Sequence, residues 1–136
     1  MRLTIVARGR IGASPEAELV ERYCTRLREL SVVEIGDTAP WPKFGGGRTV
    51  VLDETGADLS SPQLANKLQG WQDGGAREVR FLIGAADGHD AATRVGADLL
   101  LGFGRATWPH MLVRAMLAEQ IYRATTIMAG HPYHRA

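Results

Sequence analysis

Cysteine is almost absent from this sequence. The 136 residues hold one, Cys24, which leaves no partner for an internal disulfide and no basis for a cysteine-built metal site. Lysine is scarce as well: of sixteen basic residues only Lys43 and Lys67 are lysines, the rest being arginine. Net charge is nearly nil, +1, which argues against a strongly basic nucleic-acid binder and against an acidic solvating tail. No run of about 18 apolar residues occurs, so no membrane-spanning helix is expected. The apolar start Met1-Arg2-Leu3-Thr4-Ile5-Val6 meets Arg8 and Arg10 too soon for a secretory core. These absences predict a cytoplasmic chain with no membrane partner.

Several motifs are missing too. There is no Gly-Lys-Ser or Gly-Lys-Thr, hence no Walker loop. Neither Gly9-Arg10-Ile11-Gly12 nor the segment from Gly84 to Gly88 makes a dinucleotide fingerprint, and no Gly-x-Ser-x-Gly elbow is present. His131 and His134 lie three apart without a third ligand cluster, so no metal is expected.

What is present is the patterning of one α/β domain over residues 1–136. An apolar content of 45% and a charged content of 23% are ordinary for a globular chain. Residues 3–7, 31–35, 49–52, 79–83 and 99–103 read as short buried strands. Ser14-Pro15-Glu16 and Ser60-Ser61-Pro62 each place a capping hydroxyl before a proline, predicting helix starts; Gly74-Gly75 ends the second helix. A short helix is expected over 90–97. The longest runs from Pro109-His110 to about Ala124, with apolar positions on too many sides for a single stripe. Pro40, Trp41, Pro42 and Gly45-Gly46-Gly47 mark 36–48 as a loop, either a flexible connection or a basic-aromatic flap over a substrate.

Strands alternating with helices predict a mostly parallel sheet with helices on both faces. Such sheets bind ligands at the carboxyl ends of their strands. Three segments lie there: Leu52-Asp53-Glu54-Thr55-Gly56, Ile83-Gly84-Ala85-Ala86-Asp87-Gly88, and residues 104–110. The last third is chemically rich. After Asp98 the sole acid is Glu119, against Arg105, Arg114, Arg123 and Arg135, an excess suited to an RNA backbone. Alternatively Arg114 or Arg123 pairs with Glu119 or solvates a helix face. Tyr133-His134-Arg135 joins groups that can stack a base, move a proton and hold a phosphate, though a terminal triplet can also be plain solvent-exposed chain.

The chain resembles the RlmH family of the SPOUT (α/β-knot) methyltransferases. The likeness rests on Pro109-His110-Met111-Leu112-Val113-Arg114, Glu119-Gln120-Ile121-Tyr122-Arg123-Ala124 and His131-Pro132-Tyr133-His134-Arg135. Leu52-Asp53-Glu54-Thr55-Gly56, Ser60-Ser61-Pro62-Gln63-Leu64-Ala65 and Phe81-Leu82-Ile83-Gly84 support it. The resemblance implies a parallel sheet with a C-terminal deep trefoil knot, an exception to ordinary topology, and a homodimer. It implies S-adenosyl-L-methionine as methyl donor, held by Leu52, Gly84, Ala85, Gly104, Arg105, Ala106, Thr107, Trp108 and Pro109. It further implies methylation at N3 of a pseudouridine in large-subunit ribosomal RNA of the assembled ribosome. Tyr133, His134 and Arg135 would then be the catalytic set, His134 as general base, with His110 a structural helix start.

This sequence departs from the family pattern in three places. Ala85 replaces a second glycine, Met111 replaces a commoner glutamine, and 36–48 is shorter than the helix and basic loop of many relatives. Another RNA substrate, such as transfer RNA, or a non-catalytic ribosome-associated binding role are the alternatives.

Overall fold

Five runs rich in Val, Ile and Leu build one sheet. The computed structural model describes residues 1–135, with side chains through Tyr133. Its strands are β1 (Arg2–Arg8), β2 (Leu30–Ile35), β3 (Arg48–Asp58), β4 (Glu78–Ile83) and β5 (Leu99–Gly102). They pair in parallel in the order β2-β1-β4-β3-β5. The helices are α1 (Pro15–Arg26), α2 (Ser61–Asp73), α3 (Ala91–Val95) and α4 (His110–Met128), and a 3-10 turn covers Pro132–Arg135.

The expected helix starts are formed by the expected chemistry. The Ser14 hydroxyl accepts from the Ala17 amide, and Ser60 with Gln63 makes a reciprocal capping box. Asp90 caps α3 through the Thr93 amide at 2.8 Å. α4 begins at Pro109-His110 with no side-chain cap, since proline sets the backbone angle itself.

The two faces of the sheet are unequal. Leu3, Ile5, Ala7, Val50, Leu52, Val79, Phe81, Ile83 and Leu101 join one cluster with Leu64, Ala65 and Leu68 of α2 and Leu117, Ala118, Ile121 and Ala124 of α4. Their strand neighbours Val6, Val51 and Leu82 point the other way, as the period of two requires. They form a small cluster with Ile35, Trp41, Ala97 and Leu100. So α1, α2 and α4 cover one face, and only α3 and the 36–48 loop cover the other. At about 1.5–3 kcal/mol per large side chain buried, most of the hydrophobic stabilisation comes from the first face. The many-sided apolar character of α4 is explained by its packing against both α1 and α2.

Two boundaries differ from the sequence reading. Residues 53–56 look like a turn after Leu52, yet β3 continues to Asp58 through a register shift: both Leu52 and Ala57 oppose Leu101. Gly56 permits this, because a side-chain carbon there would lie 2.7 Å from backbone atoms of Leu100 and Leu101. α4 runs past Ala124 to Met128. Thr125 and Thr126 turn their hydroxyls onto the Tyr122 and Arg123 carbonyls, at 2.7 and 2.6 Å. The 36–48 segment is also no loose connection, being held by Trp41, by Arg80 bonding the Pro42 carbonyl at 3.2 Å, and by Arg80 stacked on Phe44.

Candidate active site

The carboxyl ends of β3, β4 and β5 open into a cavity of about 710 Å³, a size typical of small-molecule sites. All three segments singled out by the sheet rule contribute. Leu52, Gly84, Ala85, Gly104, Ala106, Thr107, Trp108 and Pro109 line it; Arg105 is exposed and is not among the lining residues. The segments are tied to one another. Thr107 Oγ1 donates to Glu54 Oε2 at 3.2 Å, joining the loop after β5 to the β3 bulge. Trp108 Nε1 donates to the Phe103 carbonyl at 3.0 Å, which folds the loop back on itself. Gly84 sits so close to the following turn that an added side-chain carbon would meet the Gly88 carbonyl oxygen at 3.1 Å and His89 Cε1 at 3.2 Å. Gly104 holds φ +87°, the left-handed region that glycine adopts most readily.

Charge at the mouth is dominated by carboxylates. Asp53, Glu54 and Asp87 line the cavity against a single guanidinium, Arg94. Asp53 accepts from the Thr55 hydroxyl at 2.6 Å and amide at 2.9 Å, and pairs with Arg94 Nε at 3.0 Å. The Thr55 bonds foremost, with Arg94 adding, hold the Asp53 carboxyl below its usual range. Two imidazoles also line the cavity. The buried His89 ring faces the backbone of Leu52 and Leu82, and Nδ1 of His110 is buried without a hydrogen-bond partner. Burial pushes His89 below the usual imidazole pKa, while nearby Asp53 opposes the shift.

The apolar wall of Leu52, Ile83, Leu101, Phe103, Trp108 and Val113, turn backbone at Gly84–Gly88, and an acidic mouth suit a flat heteroaromatic ring joined to a cationic chain. S-adenosylmethionine has that composition, so the residues present fit it. Among the described residues no group of three or more His, Cys, Asp or Glu side chains is arranged to hold a metal, and no helix is long and apolar enough to cross a membrane.

The tail is elsewhere. Tyr133 packs edge-on against Tyr122 at 4.7 Å, donates to Glu119 Oε2 at 3.3 Å and lies under Arg123. From Val113 at the cavity to Tyr122 is nine residues of α4, about 14 Å of helix. Tyr133 is not among the residues that line the cavity. The side chains of His134 and Arg135 lie outside the described residues. The basic excess of the last third shrinks as well: Arg123 pairs with Glu119 at 3.0 Å, and Arg114, 1% exposed, pairs with Glu34 and bonds the Gly9 carbonyl.

The family described as "Predicted SPOUT methyltransferase" matches residues 1–134. The chain belongs to the SPOUT methyltransferase family. Its relatives include the ribosomal RNA large subunit methyltransferase H of Novosphingobium aromaticivorans, 58% identical over 99% of each chain. The protein of the same name from Sphingopyxis alaskensis is 56% identical over 99% of this chain and 97% of its own. That of Paracoccus denitrificans is 48% identical over 99% of each. For a SPOUT methyltransferase, sequence reasoning found the three cavity segments, Asp53 among them, but passed over His89 and Arg94. Arg94 carried no sequence signal, because its ion pair with Asp53 crosses forty-one positions of chain and is set only by the fold.

Proposed function

We propose that this methyltransferase acts as a single domain and a homodimer in the cytoplasm, transferring a methyl group from S-adenosylmethionine to N3 of a pseudouridine in large-subunit ribosomal RNA of the assembled ribosome. The observation that carries this reading is the cavity made from three strand-end segments in a chain whose near-full-length relatives are named as large-subunit ribosomal RNA methyltransferases. Backbone groups of the Gly84–Gly88 turn and the 104–109 loop would hold the donor, with Arg105 just outside the lining. Leu52 and Trp108 cover the ring. Asp53, Glu54 and Asp87 offset the positive charge of the donor.

When bound, the sulfonium supplies an already activated methyl group, so alignment accounts for much of the acceleration. His134 takes the N3 proton, an imidazole being suited to that task near neutral pH. Arg135 holds a phosphate or the developing negative charge on the base. Tyr133, engaged by Glu119, sets the direction of the segment that carries them. Because Tyr133 packs on Tyr122, about 14 Å along α4 from Val113 at the cavity, each tail serves the partner's cavity. The modest net charge of +1 fits recognition of an assembled ribosomal surface rather than tight binding of bare RNA.

Removing residues 133–136 tests the division of labour. Methyl transfer to ribosomes is expected to vanish while calorimetric affinity for S-adenosylhomocysteine stays within about threefold of the parent. Full activity in the truncated protein would exclude the tail as the catalytic set.

A further inference from the structure

The thin face of the sheet is closed by an unusual stack. The Arg8 guanidinium lies 4.1 Å from the Trp41 ring centroid and donates to the carbonyls of Gly36 (2.8 Å) and Ala39 (2.7 Å). Trp41 Nε1 donates to Thr93 Oγ1 at 3.1 Å. Trp41 also meets the His89 ring, centroids 5.8 Å apart and tilted by 36°. His89 in turn stands against Gly84, with Cε1 3.2 Å from where a side-chain carbon would be. One indole thus joins the end of β1, the 36–41 segment, the first turn of α3 and the turn that walls the cofactor cavity. A second cavity of about 370 Å³ lies behind that turn, lined by Arg8, Trp41, His89 and Thr93 among others. The turn therefore has open space behind it, with Trp41 as the aromatic prop on that side. The buried His89 ring also faces the backbone of Leu52 and Leu82, so Trp41 presses it onto the strand ends that wall the cofactor cavity.

We infer that Trp41 is a positioning residue for methyl-donor binding: through His89 it holds the Gly84–His89 turn in the conformation that accepts the donor. This inference rests on the proposed function for its donor. It also assigns a role to the short 36–48 segment, as a brace for the cofactor loop rather than a grip on RNA. The physical basis is preorganisation. A turn that must be ordered on binding lowers apparent affinity by the fraction of time it is not in place.

The test compares the full-length parent, Trp41→Ala, Trp41→Phe and Thr93→Val. Amide hydrogen exchange of residues 84–89 is read without ligand, and the Kd for S-adenosylhomocysteine is read by calorimetry below the Tm of every variant. Trp41→Ala is expected to lose protection across 84–89 and to raise Kd at least tenfold. Trp41→Phe, which keeps a ring against His89, recovers most of both. Thr93→Val, which removes only the indole anchor, gives a smaller rise of about threefold. Unchanged exchange at 84–89 in Trp41→Ala, or an unchanged Kd alongside a lowered Tm, would overturn the inference by leaving Trp41 a core residue only. If the parent itself binds no S-adenosylhomocysteine, the proposed function fails, and the exchange measurement still decides whether Trp41 holds the turn.

Discussion

Glu34→Ala exposes the weakest point in the seam between α4 and the sheet. Arg114 projects from α4 with its side chain 1% exposed, and among the described residues Glu34 is its charged partner. Glu34 also accepts from the Ile11 amide at 2.8 Å, so one carboxylate joins α4, the end of β2 and the 9–11 loop. Removing a partner from a fully enclosed pair costs about 3–5 kcal/mol, because an uncompensated charge remains buried. The Glu34 side chain keeps 35% exposure, so water reaches part of the vacated space. The expected loss is therefore smaller, about 2–3 kcal/mol, or about 10 °C in Tm at this chain length. Urea and thermal melts measure it. Adding Arg114→Met to Glu34→Ala removes the stranded charge and is expected to restore at least half of the loss. The Ile11 hydrogen bond foremost, with Arg114, holds the Glu34 carboxyl below its usual pKa. Its contribution is thus present above the ordinary carboxylate range and is lost as pH falls through the depressed value. The double variant should lack that acid-side loss. A Glu34→Ala cost below about 0.5 kcal/mol, or a double variant whose losses simply add, would refute this account of the seam.

Three further outcomes follow from the geometry. Gly56→Ala places a carbon 2.7 Å from β5 backbone and is expected to cost about 3 kcal/mol or more in urea unfolding, since neither strand can yield without breaking the ladder. Tyr133, its pKa pushed up to about 12 by burial foremost, with Tyr23 and Glu119 adding to it, should appear in a spectrophotometric titration as a late-ionising phenol. That phase should vanish in Tyr133→Phe, and the parent's stability should fall, relative to the variant, as pH rises from about 10 to about 12. Burial holds His89 below the ordinary imidazole pKa, so the unfolded chain takes up that proton first and stability drops as pH falls through the ordinary imidazole range. His89→Gln should flatten that part of the pH–stability curve, and an unchanged slope would show that His89 does not titrate as described.

Much of this architecture is readable from local chemistry. Ser14-Pro15 and Ser60-Ser61-Pro62 announce α1 and α2 because capping depends on three or four consecutive residues. The rule that ligands lie at strand ends located the cavity segments, since it needs only strand direction. What escaped depends on contacts between distant parts of the chain. Asp53-Glu54-Thr55-Gly56 reads as a turn; only β5 passing against Gly56 turns it into a bulged continuation of β3. Thr125-Thr126-Ile127 is β-branched and reads as a helix end, yet hydroxyl bonds to preceding carbonyls and packing carry α4 through it. Trp41 stands out in the sequence as an aromatic in a loop, but its neighbours Arg8, His89 and Thr93 come from three other elements. The charge count misled in both directions. Whole-chain neutrality hides a basic last third, and two of that third's four arginines are spent internally, Arg114 on Glu34 and Arg123 on Glu119.

The central claim is tested most directly by incubating the purified protein with labelled S-adenosylmethionine and either assembled ribosomes lacking the modification or the same RNA free of protein. The product is then located by mass spectrometry. The account predicts label at N3 of a pseudouridine in the large-subunit RNA of assembled ribosomes and far less on free RNA. Label confined to another RNA, or none on ribosomes from a chain that binds the donor, would contradict it.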